Sequence, residues 1–202
     1  MEDPKRSTEE LILEAAQAVF LEKGLAGARM QEIADRAGIN KALLHYYFRS
    51  KEKLSELIIN RALGVLLPRV MGILETDQDL FDKIRQVAGE YITFVSRNSF
   101  LPLFIVNEVN RNPQFFFKAT VQHEKHHLDA FRRQVETAVA DGRIRPVSSA
   151  QLLMNLMSLV MFPFLGKPVF QAALGLSEAA FQQEMERRRT EVAEFVIRAI
   201  QA

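Results

Sequence analysis

The sequence predicts an all-α protein: a small N-terminal domain of three helices in a helix-turn-helix layout, residues 1–54, followed by a larger helical domain, residues 55–202. Three observations predict it. Apolar residues recur at steps of three and four, with no alternating strand pattern. The stretch RMQEIADRAGINKALLHYYFRSKEKL, residues 29–54, reads as two short helices joined by one tight turn. Breaks built from Gly, Pro, Asn and Asp divide the remainder into helix-sized pieces.

The first helix is marked by Leu11, Ile12, Ala15, Ala16, Val19 and Phe20 at helical spacing, with Gly24 as its stop. Ser7 and Glu10 form a capping box that starts it near Thr8 and leaves Met1 to Arg6 as a short arm. Lys5 and Arg6 make that arm basic enough to follow a phosphate backbone. In the next helix Ile33 and Ala34 face inward, and Ala34 is small enough for a second helix to cross closely. Gly38 supplies a positive φ that would cost a residue with a Cβ about 1 kcal/mol or more. Ile39, Leu44 and Tyr47 return to the same small core, and Asn40 caps the third helix.

Residues the core does not need are free for a partner. Lys41, Ala42 and Leu43 form the first turn of the third helix, the turn that reaches base edges when such a helix enters a major groove. Lys41 suits a guanine or a phosphate, Ala42 permits close approach, and Leu43 suits a thymine methyl. His45 and Tyr46 can donate to phosphate oxygens, with Tyr47 part core and part rim. Phe48 is core, since one turn of so small a domain cannot bury four consecutive rings. Ser50 and Lys51 start a further helix. A cation there opposes the helix dipole by a few tenths of a kcal/mol, a sign that a bound phosphate would reverse, so Lys51 is expected to clamp phosphate with Arg49 and Lys53 in support. Between Arg36 and Lys53, Arg36, Lys41, Arg49, Lys51 and Lys53 face Glu52 alone, a local basicity hidden within a whole-chain charge of +1.

Over roughly Leu11 to Ile58 these residues resemble the TetR-type transcriptional regulators, whose IA, AG, helix-three aromatic pair, Phe and SKE elements stand here in register. The resemblance implies an all-helical homodimer with an N-terminal DNA-binding domain and a larger C-terminal domain that binds a small effector and dimerises. It also implies that ligand binding moves the connecting helix and changes the separation of the recognition helices, with repression as the usual role. Two departures stand out. Ala28 and Arg29 replace the common Thr or Ser cap of helix two, suggesting a basic phosphate contact at Arg29, and Leu43 replaces a smaller or polar residue.

Beyond Ile58, breaks at Pro68, Thr76 to Asp79, Asn98 to Pro102, Asn112-Pro113, Asp141 to Pro146 and Gly166 to Pro168 predict five or six more helices. Leu54 to about Val70 is the connector. The last helix repeats Phe181, Met185, Arg188, Val192, Phe195 and Ala199 at steps of four and three, a stripe suited to packing along the Leu152 to Phe164 helix. So apolar a helix needs cover on several sides, which a second copy would provide. Leu152, Leu156, Phe181, Met185, Arg188, Val192 and Phe195 are therefore the expected dimer interface. Two recognition helices about 34 Å apart would then read a palindromic operator. For the effector, a largely apolar pocket with a few polar groups is expected from Tyr91, Phe94, Phe104, Asn107, Glu108, His123, Met154, Met157 and Phe162.

Composition sets the limits. The 202 residues, 48% hydrophobic, suffice for a substantial core, and the absence of Cys excludes disulfides and thiolate metal sites. The charged N-terminus lacks an apolar signal segment, so a cytoplasmic location is expected. No membrane span is expected: the most apolar run, Leu152 to Leu165, is interrupted by Asn155, Ser158 and Pro163 and falls short of the ~20 residues a bilayer needs. No cofactor is expected. His123, Glu124 and His127 spell H-E-x-x-H, a metal-site spacing, with Glu136 or Asp141 as conceivable third ligands. Polar Lys125 and His126 between them argue against a buried catalytic helix, so a solvated, ion-paired face is expected and an enzyme is not. A third reading, a helical interaction module that has lost DNA binding, rests on Leu43 and the weak net charge.

Overall fold

The computed structural model describes residues 7–111 and 127–202, apart from the side chains of Glu108, Arg111 and His127. Among the described residues there are ten helices: α1 Thr8–Gly27, α2 Met30–Arg36, α3 Lys41–Tyr47, α4 Lys51–Glu75, α5 Leu80–Arg97, α6 Leu101–Arg111, α7 His127–Ala140, α8 Ser149–Leu165, α9 Lys167–Leu174 and α10 Glu178–Ile200. An antiparallel bridge joins Ile144 to Gln201.

Short-range chemistry fixes most helix starts. Ser7 accepts from the Glu10 N–H while Glu10 accepts from the Ser7 N–H, the reciprocal capping box that the sequence predicts. Asn40, Ser50, Asp79, Ser148 and Ser177 cap α3, α4, α5, α8 and α10 by the single bond that each side chain accepts from a first-turn N–H, each worth about 1 kcal/mol. Gly24, at φ 65, breaks the helical path of α1 and leaves one further turn before α2.

Two apolar cores result, and α4 serves both. Leu54, Ile58, Ile59 and Leu63 join α1, α2 and α3 in the N-terminal core, whereas Leu66, Val70 and Leu74 join α5, α7, α8 and α10 in the larger one. This division explains why α4 has the length and composition of a membrane-crossing helix, a feature the sequence reading overlooked. Pro68 does not end α4 as predicted. The helix runs through it to Glu75, forfeiting only the hydrogen bond to Gly64 on an exposed side.

Leu101 and Phe104 of α6 belong to the N-terminal core, where Phe104 stacks on Phe20 with centroids 5.4 Å apart. Phe94 of α5 packs against both cores. The main partner of α10 is α5 rather than the predicted α8, which it also touches. Arg85 ties these two helices by donating to Glu194 at 2.7 Å. The buried ammonium of Lys83 donates to the Leu74 carbonyl at 2.9 Å, closing the C-terminal end of α4. Between α8 and α9 the chain bends by 72° at Gly166.

Candidate nucleic-acid interface and the C-terminal face

The helix-turn-helix is assembled by a few local bonds. Ile33, Ala34 and Leu44 are fully buried where α2 meets α3. Gly38, at φ 69, makes the turn, and the Ile39 N–H closes it onto the Ala34 carbonyl at 3.0 Å. The Asn40 carboxamide oxygen accepts from the Leu43 N–H at 2.8 Å, so this side chain is occupied as a cap. Arg29 is the N-cap of α2 and makes no side-chain capping bond. Glu32, three residues on, compensates: its hydrogen bond from Lys23 at 2.8 Å, with the Arg29 backbone N–H also contributing, holds its carboxyl below the usual range. That arrangement explains how α2 dispenses with a Thr or Ser cap.

One face of α3 is left open. Arg29, Lys41, Ala42, Leu43, His45, Tyr46 and Tyr47 are all exposed, Tyr46 at 83%. The Tyr46 and Tyr47 rings meet edge to face at 5.6 Å, while Phe48 is buried. Tyr47 thus lies on the rim, and Phe48 takes the core position. The surrounding charges are less uniformly basic than the sequence suggests, because Arg36 pairs with Glu22 at 2.6 Å and Lys53 with Glu56 at 2.7 Å. Lys41 and Arg49 remain without a carboxylate partner among the described residues, whereas the Arg29 charge helps to hold the Glu32 carboxyl low.

Lys51, expected as a phosphate clamp, has two acceptors within the protein. Its ammonium donates to the backbone carbonyls of Ala26 at 3.0 Å and Ala28 at 3.1 Å. Both carbonyls lie at the C-terminal end of α1, where positive charge is favourable, which answers the unfavourable charge at the start of α4.

Of the nine predicted effector residues, the seven whose side chains are described are spread over both cores and the surface. Phe104 is stacked in the N-terminal core. Met154 and Phe162 stand 52% and 60% exposed on the outer side of α8, and Asn107 is exposed on α6. Tyr91, Phe94 and Met157 are half-buried against the larger core, where desolvation pushes the Tyr91 phenol up to about 12. Glu108 and His123 lie outside the described residues, as do Glu124 and the His127 side chain of the H-E-x-x-H stretch. Among the described residues no group of three or more His, Asp or Glu could hold a metal ion.

The predicted dimer stripe also divides. Leu152, Leu156, Phe181, Met185 and Val192 are buried in the protomer's own core and are not offered to a partner. Phe195 is 65% exposed. In the C-terminal half of α10 the buried face leaves the stripe and passes to Ala193, Val196, Ile197 and Ile200, on a helix whose main partner is α5 and not α8. Phe195 and Ala199 are thereby turned outward.

An open groove of about 460 Å³ runs between α8, α9 and α10, with Phe162, Phe170, Phe181, Met185 and Arg188 among its walls. Arg188 has a role the sequence reading missed. The Leu159 carbonyl lacks its helical donor because residue 163, four places on, is proline, and the Arg188 guanidinium donates to it at 2.8 Å. The signal was present as a buried-helix proline facing a lone arginine in an apolar stripe.

Comparison with known proteins agrees with this geometry. Residues 12–58 match the family model of bacterial regulatory proteins, tetR family. The transcriptional activator FasR of Mycolicibacterium smegmatis is 34% identical over 88 residues, covering 44% of this chain and 40% of that protein. The transcriptional repressor KstR2 of the same organism is 28% identical over 138 residues, covering 67% of this chain and 66% of that protein. The matched stretches thus span less than two thirds of these relatives' lengths. In fold, the structure is similar to KstR2 of Mycobacterium tuberculosis, with a TM-score of 0.73 at 18% identity over 98% of this chain and 96% of that one. It is likewise similar to the regulator PfmR from Thermus thermophilus, with a TM-score of 0.71 at 20% identity over 98% and 99%. The family model lies across the helix-turn-helix and the same fold extends over nearly the whole length, so residues 12–58 form the N-terminal domain of the bacterial regulatory proteins of the tetR family.

Proposed function

We propose that the protein is a dimeric, ligand-responsive transcriptional regulator, a repressor, that binds a palindromic operator through residues 29–51 and acts in the cytoplasm. The observation that carries this reading is the open face of α3: a helix held rigidly from behind by Leu44 and capped by Asn40, with Lys41, Leu43, His45 and Tyr46 directed away from the core. Lys41 and Leu43 read bases, while Arg29, His45 and Tyr46 position the helix on phosphates. Tyr47 supports Tyr46 through the edge-to-face contact. FasR is named an activator and KstR2 a repressor; repression is our reading for this chain.

The second copy packs on the outer side of α8 and α10, where Met154, Phe162 and Phe195 are exposed together with the groove beside Arg188. The effector is a small, largely apolar molecule that lodges beside Tyr91 and Phe94. Phe94 touches both cores, so pressure on its ring reaches α4 and α6 at once. Such a ligand shifts the equilibrium only through different affinities for the two arrangements.

The test is salt-dependent binding to a palindromic duplex selected from a random pool. Log affinity should fall linearly with log salt concentration, and Lys41→Ala should weaken binding. Absent or salt-independent binding would instead identify a helical interaction module that has lost DNA recognition.

A further inference from the structure

The polar contact between α1 and α4 bears on recognition in a way the open face of α3 does not. α1 ends in a single turn after the bend at Gly24, and the Ala28 N–H donates back to the Gly24 carbonyl at 3.1 Å. Ala28 is buried, and it is the last residue before Arg29, the N-cap of α2. The Ala26 carbonyl, in that final turn, has no donor from its own helix, because the residue four places on already belongs to α2. Both carbonyls are met by one ammonium, that of Lys51, at 3.0 and 3.1 Å.

Lys51 is the first residue of α4, and α4 continues without interruption to Glu75 in the larger core. The same residue therefore sits at the near end of a rod whose far end is buried in the C-terminal domain, and it grips the joint from which α2 starts. From that joint the Ile33 N–H bonds to the Arg29 carbonyl, and the turn after α2 fixes α3 through Ile39 and Ala34. A displacement of α4 is thus delivered to the start of α2 through two hydrogen bonds, and from α2 to α3 through the turn.

We infer that Lys51 is a positioning residue, which holds the recognition unit in register with α4 through the Ala26 and Ala28 carbonyls. The inference rests on the operator-binding reading above, and one experiment separates the two. Lys51→Met keeps the aliphatic stem and removes the donors. Binding is measured against salt concentration on the palindrome selected by the wild-type protein and on a scrambled duplex of equal length, with Lys41→Ala as the control for a direct contact. Amide exchange is followed on both variants without DNA.

For Lys51→Met, affinity for the selected duplex should fall about tenfold, with affinity for the scrambled duplex and the salt slope unchanged. Amides of residues 26–32 should lose protection while those of Val87 to Ile92 keep theirs. A lost phosphate contact would lower both affinities and reduce the slope by about 0.9, which overturns the inference. Unchanged protection at residues 26–32 overturns it equally. Loss of protection throughout the N-terminal core would demand Lys51→Gln, which keeps an N–H for one carbonyl and should give a smaller specific loss; equal losses on both duplexes would again refute positioning. If the wild-type protein binds no duplex at all, the operator reading fails, and the exchange measurement still decides whether Lys51 holds the joint.

Discussion

Replacing Arg188 should have most of its effect on stability only while residue 163 is proline. Pro163 has no N–H, so the Leu159 carbonyl is left open inside α8, and the Arg188 guanidinium donates to it at 2.8 Å from α10. A hydrogen bond to a charged group contributes about 1.5–3 kcal/mol. Arg188 is only half-buried, its pKa lowered by desolvation, so screening reduces the figure to about 1–1.5 kcal/mol. Arg188→Met should therefore destabilise by that amount. In a Pro163→Ala background the new N–H occupies the Leu159 carbonyl, and the same change should cost about 0.5 kcal/mol or less, a coupling of about 1 kcal/mol. Urea unfolding of the four proteins at one fixed protomer concentration measures this, since dimers unfold in a concentration-dependent way. With m of about 2–3 kcal/mol per molar, the coupling moves the midpoint by about 0.4 M at constant m. Additivity of the two substitutions within about 0.3 kcal/mol would falsify the account of Arg188 as the donor that proline lacks.

Three further outcomes are expected. Asn40→Ala should remove about 1 kcal/mol through loss of the α3 cap and weaken binding to the selected duplex, read from the urea midpoint and a titration. The Arg143 guanidinium, 2.5 Å from Asp79, holds that carboxyl below its ordinary value of 3.8, so the stability it contributes is present above about pH 4 and is lost as pH falls through the depressed value. Asp79→Asn retains the cap and should cost about 0.5 kcal/mol near neutrality and almost nothing below that window; a cost that persists at acid pH would contradict the ion pair. Phe104→Ala should destabilise by about 3 kcal/mol, and exchange protection should drop in α1 before α10, because this α6 ring stacks on Phe20.

The parts of the fold that the sequence disclosed are those decided within three or four residues. The Ser7–Glu10 box, the turn at Gly38 and the caps at Asn40, Ser50 and Ser177 involve side chains and N–H groups close along the chain, so residue type alone identifies them. Elements decided by distant partners are harder to read. Every turn of α8 is apolar, which erases the phase that would tell Leu152 and Leu156, buried, from Met154 and Phe162, exposed. In α10 the stripe reads as one continuous face, yet the helix packs chiefly on α5, a partner that the stripe does not identify, and its buried face passes to Ala193, Val196 and Ile197. The acceptors of Lys51 are backbone carbonyls, and a carbonyl has no residue type to recognise. Phe104 resembles a pocket residue in sequence, yet α6 turns it toward Phe20.

The division of α4 between two cores constrains how this protein can be taken apart or recombined. A graft that joins a foreign C-terminal half after residue 54 would strip the N-terminal core of Ile58, Ile59 and Leu63, and of Leu101 and Phe104 as well. The least costly seam is the turn and a half from Gly64 to Pro68, where Gly64, Val65 and Pro68 are exposed although Leu66 belongs to the larger core and Leu67 still packs against the N-terminal one. Even there, a hybrid must bring its own matching α6, since the N-terminal core is completed by residues that arrive after α5 has already entered the larger one.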